Sequence, residues 1–104
     1  MNNLFGLKPG EIELIRSVLA AEPSISEAVI FGSRAKGNYK SGSDVDIALI
    51  GDGLNLEKII RLSYILNEEI GMPYHFDLIE YRTIKTVELK KHIDRVGIKI
   101  LSAV

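Results

Sequence analysis

The run Asp44-Val45-Asp46-Ile47-Ala48-Leu49-Ile50 constrains the fold more than any other part of this sequence. It is rich in β-branched residues and is closed by Gly51-Asp52-Gly53, which reads as a strand followed by a turn. Side chains alternate across a strand, so Val45, Ile47 and Leu49 share one apolar face. Asp44, Asp46, Ala48 and Ile50 share the other, which is also largely apolar beyond its two acids. Asp46 is therefore a poor fit for an acid that simply faces water. Residues two apart on a strand lie on one side, roughly 6.6 Å from each other. Two carboxylates so placed repel unless a cation or water screens them. Oxygen ligands of this kind suit Mg²⁺, which takes one or two carboxylates together with substrate phosphates. An isolated Asp-x-Asp is most often a pair of solvated acids, so the chemical reading depends on its neighbours.

Around this strand the pattern gives the order α-β-loop-β-α-β-α-β. Pro9 to Ala21 reads as a helix with Pro9 in its first turn and Ile12, Ile15 and Leu19 on one face. Pro23 ends it, and Glu27 to Phe31 is a short strand. Gly32 to Ser43 is mostly loop, with a possible helical start at Ser33–Ala35. Asn55 caps a helix running to about Ile70, with Leu56, Ile59, Ile60 and Leu66 as its expected buried stripe. Gly71 and Pro73 stop that helix. Tyr74 to Tyr81 is a third strand, Ile84 to about Val96 a final helix, and Ile98 to Leu101 a short last strand. The link between the first two strands is only about a dozen residues, near the lower limit of a parallel crossover. The expected fold is α/β, of the α+β kind: a mixed β-sheet with helices packed on it.

Two further features stand beside Asp44 and Asp46. The first strand stops at Gly32-Ser33 and turns into a possible helix. Bare N–H groups at a helix start favour phosphate oxygens, Gly32 lets a phosphate approach the backbone, and Ser33 adds a hydroxyl donor. Asp77 lies inside Tyr74-His75-Phe76-Asp77-Leu78-Ile79-Glu80-Tyr81, although aspartate is depleted from strand interiors. It reads either as an edge acid facing water or as a third metal ligand that takes a proton from an attacking hydroxyl. His75 is read as a surface or edge residue and His92 as an ordinary residue of the last helix. Gly37 to Gly42 has the glycine spacing of a P-loop, but Ser43 stands where that motif needs lysine.

Composition narrows the class. At 104 residues, 46% hydrophobic and 26% charged, the chain is expected to be one domain over 1–104. A net charge of −1 supplies no basic field toward nucleic acid. The absence of cysteine excludes a disulfide scaffold and a thiolate metal site. No secretion signal or membrane-length apolar run of ~20 residues is seen, so a cytoplasmic protein with no membrane partner is expected.

In combination, Gly32-Ser33, Gly37, Ser43-Asp44-Val45-Asp46 and the distant Asp77 resemble the signature of the nucleotidyltransferase superfamily that shares the polymerase-β-like fold. The likeness extends from about Ala28 to Leu101. Because the chain leaves no room for a second domain, it looks like the stand-alone minimal nucleotidyltransferases of bacteria and archaea. Those are commonly paired with a small all-helical HEPN protein as a toxin–antitoxin system. The resemblance implies an enzyme that moves AMP from ATP to a hydroxyl, a tyrosine of a HEPN toxin, as the antitoxin of a type VII system. It implies Asp44, Asp46 and Asp77 as catalytic residues and ligands of two Mg²⁺ ions. Gly32, Ser33, Arg34 and Ser43 become the nucleotide-binding set, with Lys36 helping Arg34 to neutralise the triphosphate. Tyr39 is a candidate for stacking on a base or partner. A partner is expected to complete the cleft, docking on Lys85, Lys90, Lys91 and Arg95 or on the Tyr39 loop, in a homo- or hetero-oligomer. The alternatives are a non-catalytic antitoxin that acts by contact, a nucleotidyltransferase acting on a small molecule, and a nucleotide-sugar enzyme using Asp-Val-Asp.

Overall fold

Proline, glycine and asparagine punctuate the chain where the sequence reading places them. The computed structural model describes residues 4–102. Helix α1 spans Pro9–Ala20 and buries Ile12, Ile15 and Leu19. Its free first-turn donors are met in part by Glu11, whose carboxylate accepts the Lys8 N–H at 2.9 Å. Strand β1 is Glu27–Phe31, and the short helix α2, Gly32–Lys36, follows without a break. Gly37, at φ +88°, ends α2 in the left-handed region open to glycine. Strand β2 is Val45–Ile50. Helix α3 is Leu56–Tyr64, its first turn capped by Asn55, which accepts the Lys58 N–H at 2.9 Å. A π-helical turn, Ile65–Glu69, prolongs it. Strand β3 is Phe76–Glu80, a 3₁₀ turn covers Tyr81–Thr83, helix α4 is Val87–Val96 and strand β4 is Ile98–Ser102. The last helix starts later than expected because Ile84 is extended and packs beneath it instead of opening it.

The sheet has the order β3-β2-β1-β4 and is mixed as expected. β2 and β3 are parallel, joined by α3 as the crossover, whereas β1 is antiparallel to both its neighbours. One face carries Ala28, Ile30, Val45, Ile47, Leu49, Phe76, Leu78 and Ile100 against α1 and α3. The other carries Phe31 and Ala48 against Ile93 of α4, with Val29, Ile79, Tyr81 and Leu89 around them. No helix among the described residues is long and apolar enough to cross a membrane.

The stripe of α3 differs from expectation. Ile59, Leu62 and Leu66 are buried, whereas Leu56 is 71% and Ile60 59% exposed. Two apolar series overlap in this helix, Ile59/Leu62/Leu66 and Leu56/Ile60/Tyr64. The first faces the sheet, joining Val45, Ile47 and Phe76 in the core. The π-helical turn has a local consequence too. It presents Asn67 to the outer edge of β3, where its amide oxygen accepts the Phe76 N–H at 2.8 Å and its amide nitrogen donates to the Phe76 carbonyl at 3.0 Å.

Candidate active site

The three aspartates lie near the place where β1 ends and β2 and β3 begin. Phe31 pairs with Asp46 and Asp46 with Asp77, so these side chains form a row across one face of the sheet. The next row, Val29, Ala48 and Ile79, is roofed by α4. Asp46 is thus partly enclosed at the margin of an apolar patch, while Asp77 lies exposed on the edge strand. Asp44, two residues before Asp46, is also exposed, and its carboxylate lies 3.5 Å from Nδ1 of His75. Burial, then the Asp77 carboxylate, then that of Asp44 push the Asp46 pKa up to about 6; His75 and Arg34 pull the other way.

This donor set fits a hard cation. All three groups offer carboxylate oxygen, and the repulsion felt by Asp46 is what a divalent ion would relieve. Among the described residues, however, no three Asp, Glu or His side chains are drawn together tightly enough to enclose an ion. The full convergence expected of the three aspartates is therefore reached only in part. Asp46 and Asp77 face one another in register, and Asp44 leans toward His75. Mg²⁺ does not require a closed protein cage, since substrate phosphates and water complete its octahedron.

Local packing also requires glycine at position 32. Its φ is +73°, and a Cβ there would come 2.2 Å from Oδ2 of Asp46. The carboxylate occupies the space that a side chain would need. The Gly32 N–H, expected to be bare, donates to Nε2 of His92 at 3.1 Å. His92 comes from α4 and meets the Phe31 ring edge-on, with ring centres 6.1 Å apart. It links α4 to the start of α2 beside Asp46, a role that its place on an amphipathic helix did not reveal. Ser33 sits partly exposed in the first turn of α2, where its carbonyl accepts the Gly37 N–H at 3.0 Å.

Arg34 departs from its expected role as a nucleotide-binding residue. It is only 3% exposed. Nε and Nη2 donate to the Ser43 carbonyl at 3.2 and 2.9 Å, and Nη1 donates to the Phe5 carbonyl at 2.8 Å. A guanidinium so directed grips the backbone and presents no fork to solvent. Tyr39, considered for stacking on a base or partner, is exposed and also covers Arg34 at 5.3 Å. Ser43 orders the loop: its hydroxyl accepts the Lys40 N–H at 2.8 Å, and its own N–H donates to the Lys40 carbonyl at 3.0 Å. Lys36 remains exposed on the last turn of α2.

Comparison with known proteins agrees with this architecture. A protein of Methanocaldococcus jannaschii, named "putative protein adenylyltransferase", is 35% identical over 78 residues, covering 74% of this chain and 81% of that protein. A crystal structure of a toxin–antitoxin with AMP-PNP superposes with a TM-score of 0.74 at 22% identity, over 88% of this chain and 73% of that one. A mutant of the toxin–antitoxin MntA-HpeT gives 0.71 at 18% identity, over 88% of this chain and 72% of that one. At these identities the two structures establish the fold. The family described as "Polymerase beta, Nucleotidyltransferase" matches residues 13–103. A match over nearly the whole chain, on a mixed sheet that gathers its acids at one margin, makes this protein a nucleotidyltransferase of the polymerase β family.

Proposed function

We propose that the chain transfers AMP from ATP to a protein hydroxyl, with Asp44, Asp46 and Asp77 as the metal-binding and catalytic carboxylates. The observation that carries this reading is the register pair Asp46–Asp77, with the Asp46 carboxyl pKa raised by burial first and then by both other acids. Nothing in ordinary packing rewards three like charges at one sheet margin, whereas a bound cation would. Bound Mg²⁺ would neutralise triphosphate charge and stabilise the attacking and leaving oxygens.

The chain's own residues supply the rest. Ser33, at the start of α2, offers a hydroxyl and a first-turn N–H to the triphosphate. Asp77, exposed at the edge strand, takes the proton of the acceptor hydroxyl. The acceptor oxygen bonds to the α-phosphorus as the bond to pyrophosphate breaks, in line. The exposure of Asp44 and Asp77 leaves the acceptor side open, and small ligands are normally enclosed by their sites. A second macromolecule is therefore the natural acceptor, and we assign it as a helical HEPN-type toxin modified on tyrosine, this chain being its antitoxin. The relative named as a protein adenylyltransferase and the structure named as a toxin–antitoxin support a protein acceptor and a toxin partner.

The test is intact-mass spectrometry of the neighbouring gene product after incubation with this protein, ATP and Mg²⁺. Addition of whole AMP units, lost with Asp46→Asn, is the expected result. Neutralisation of the partner with no mass change, in wild type and variant alike, would leave binding alone as the function. Transfer to a small molecule in place of the partner would refute the choice of acceptor.

A further inference from the structure

The five-residue helix α2 is too short to hold its own position. The loop it opens leads to Asp44, so something outside α2 must fix where that loop ends. Arg34 meets this need. No carboxylate among the described residues forms an ion pair with its guanidinium. Its charge is instead met by the Ser43 and Phe5 carbonyls and by the faces of Tyr39 and Tyr74, at 5.3 and 5.0 Å. The turn at Phe5 and Gly6, with φ +61° and +74°, closes over it. A Cβ on Gly6 would come 2.7 Å from Nη1 and 2.5 Å from the Tyr39 ring, so the packing there is tight.

A buried guanidinium is a costly way to fill space, and an apolar side chain of similar volume would fill it with less desolvation. The planar fork does something an apolar residue cannot. It places two donors on one oxygen, that of Ser43. That oxygen belongs to the peptide unit whose nitrogen is Asp44. A peptide unit is planar, so holding its carbonyl sets the direction in which the chain enters Asp44.

We propose that Arg34 is a positioning residue: by gripping the Ser43 carbonyl it fixes Asp44 beside Asp46, and so sets the affinity for Mg·ATP while touching neither ion nor nucleotide. This inference rests on the reading of Asp44 and Asp46 as metal ligands.

The experiment titrates Mg²⁺ into the full chain with a fixed, low concentration of fluorescent N-methylanthraniloyl-ATP, for wild type, Arg34→Lys, Arg34→Met and Tyr39→Ala. Lysine keeps the charge and loses the fork; methionine keeps the stem and loses the charge. Both Arg34 variants should move the Mg²⁺ half-point up by about tenfold or more, as is usual for residues that support metal ligands. The full signal should return at high Mg²⁺, and amide exchange at residues 40–45 should quicken. A role in stability alone would lower the signal in step with the unfolded fraction and leave the half-point in place, which would overturn the proposal. A wild-type half-point in Arg34→Lys would overturn it as well. Should Arg34→Met not fold, Arg34→Lys and the surface change Tyr39→Ala carry the same comparison, the latter with a smaller shift in the same direction. Asp46→Asn serves as the reference. If it binds the probe like wild type, the metal reading itself fails. If it does not bind while Arg34→Lys is normal, only the role of Arg34 fails.

Discussion

Asp46→Asn should stabilise the protein in EDTA at neutral pH while abolishing nucleotidyl transfer. Asp46 is raised from 3.8 to about 6 in the folded chain, by burial first and by Asp77 and Asp44 next. At about 1.4 kcal/mol per pKa unit, a shift of this size would amount to roughly 3 kcal/mol for a fully enclosed group. Asp46 is only partly buried, and water screens it, so about 1–1.5 kcal/mol is the realistic penalty. For a domain of this size that corresponds to a rise of about 5–8 °C in Tm. The sign follows from linkage. A carboxyl whose folded pKa is raised favours the fold while protonated, and that contribution is lost as pH climbs through about 6. The asparagine variant never carries the charge, so its advantage should be full at about pH 7.5 and shrink toward zero as pH falls to 3.8. The assay is thermal melting in EDTA across this range, beside transfer with ATP and Mg²⁺. A variant that melts lower than wild type, or whose gain does not depend on pH, would refute the electrostatic account. Undiminished transfer would refute the metal role.

Other outcomes follow from the same contacts. Gly32→Ala should destabilise the fold by about 1 kcal/mol or more and remove transfer, because the added Cβ meets the Asp46 carboxylate at a positive φ; melting and activity together check this. His92→Leu leaves the Gly32 N–H without its acceptor and should cost about 1–3 kcal/mol. His92→Gln offers an amide oxygen in its place and should recover much of that loss in urea unfolding, together with the ATP affinity. On α3, Leu62→Ala should cost about 2–5 kcal/mol, whereas Ile60→Ala should stay within about 0.5 kcal/mol. The reverse order would mean that the wrong face of α3 has been assigned to the core.

Strand and helix positions were legible because they depend on local signals. Pro9, Asn55 and Gly71 each act within a turn of their own position, and the alternation in β2 and β3 names the faces on which Asp46 and Asp77 fall. The stripe of α3 was not settled, since two apolar series of similar strength overlap and only contact with the sheet chooses between them. The roles of Arg34 and His92 left no mark in the sequence for a different reason. Both act on backbone groups, the Ser43 and Phe5 carbonyls and the Gly32 N–H, and every residue but proline carries both kinds of group. Arg34 therefore looked like a loop cation directed at phosphate. Gly32 is marked as special by its place after β1, but its packing against the Asp46 carboxylate depends on a contact from β2 that its own neighbours in sequence do not show.

The Asn67 amide has a consequence for how an acceptor reaches this site. An edge strand next to the proposed catalytic acid Asp77 would ordinarily invite an incoming polypeptide to add as a further strand. At Phe76, one residue before Asp77, both outward hydrogen-bonding groups of β3 are already engaged by a side chain of the same molecule. A segment lying alongside β3 would have to displace that amide before its first rung could form. Access to Asp77 by lateral zippering is thereby disfavoured, and access from above the sheet is left open. For the proposed protein acceptor, this edge geometry favours a hydroxyl carried on a protruding loop or a helix end over an extended, unfolded chain.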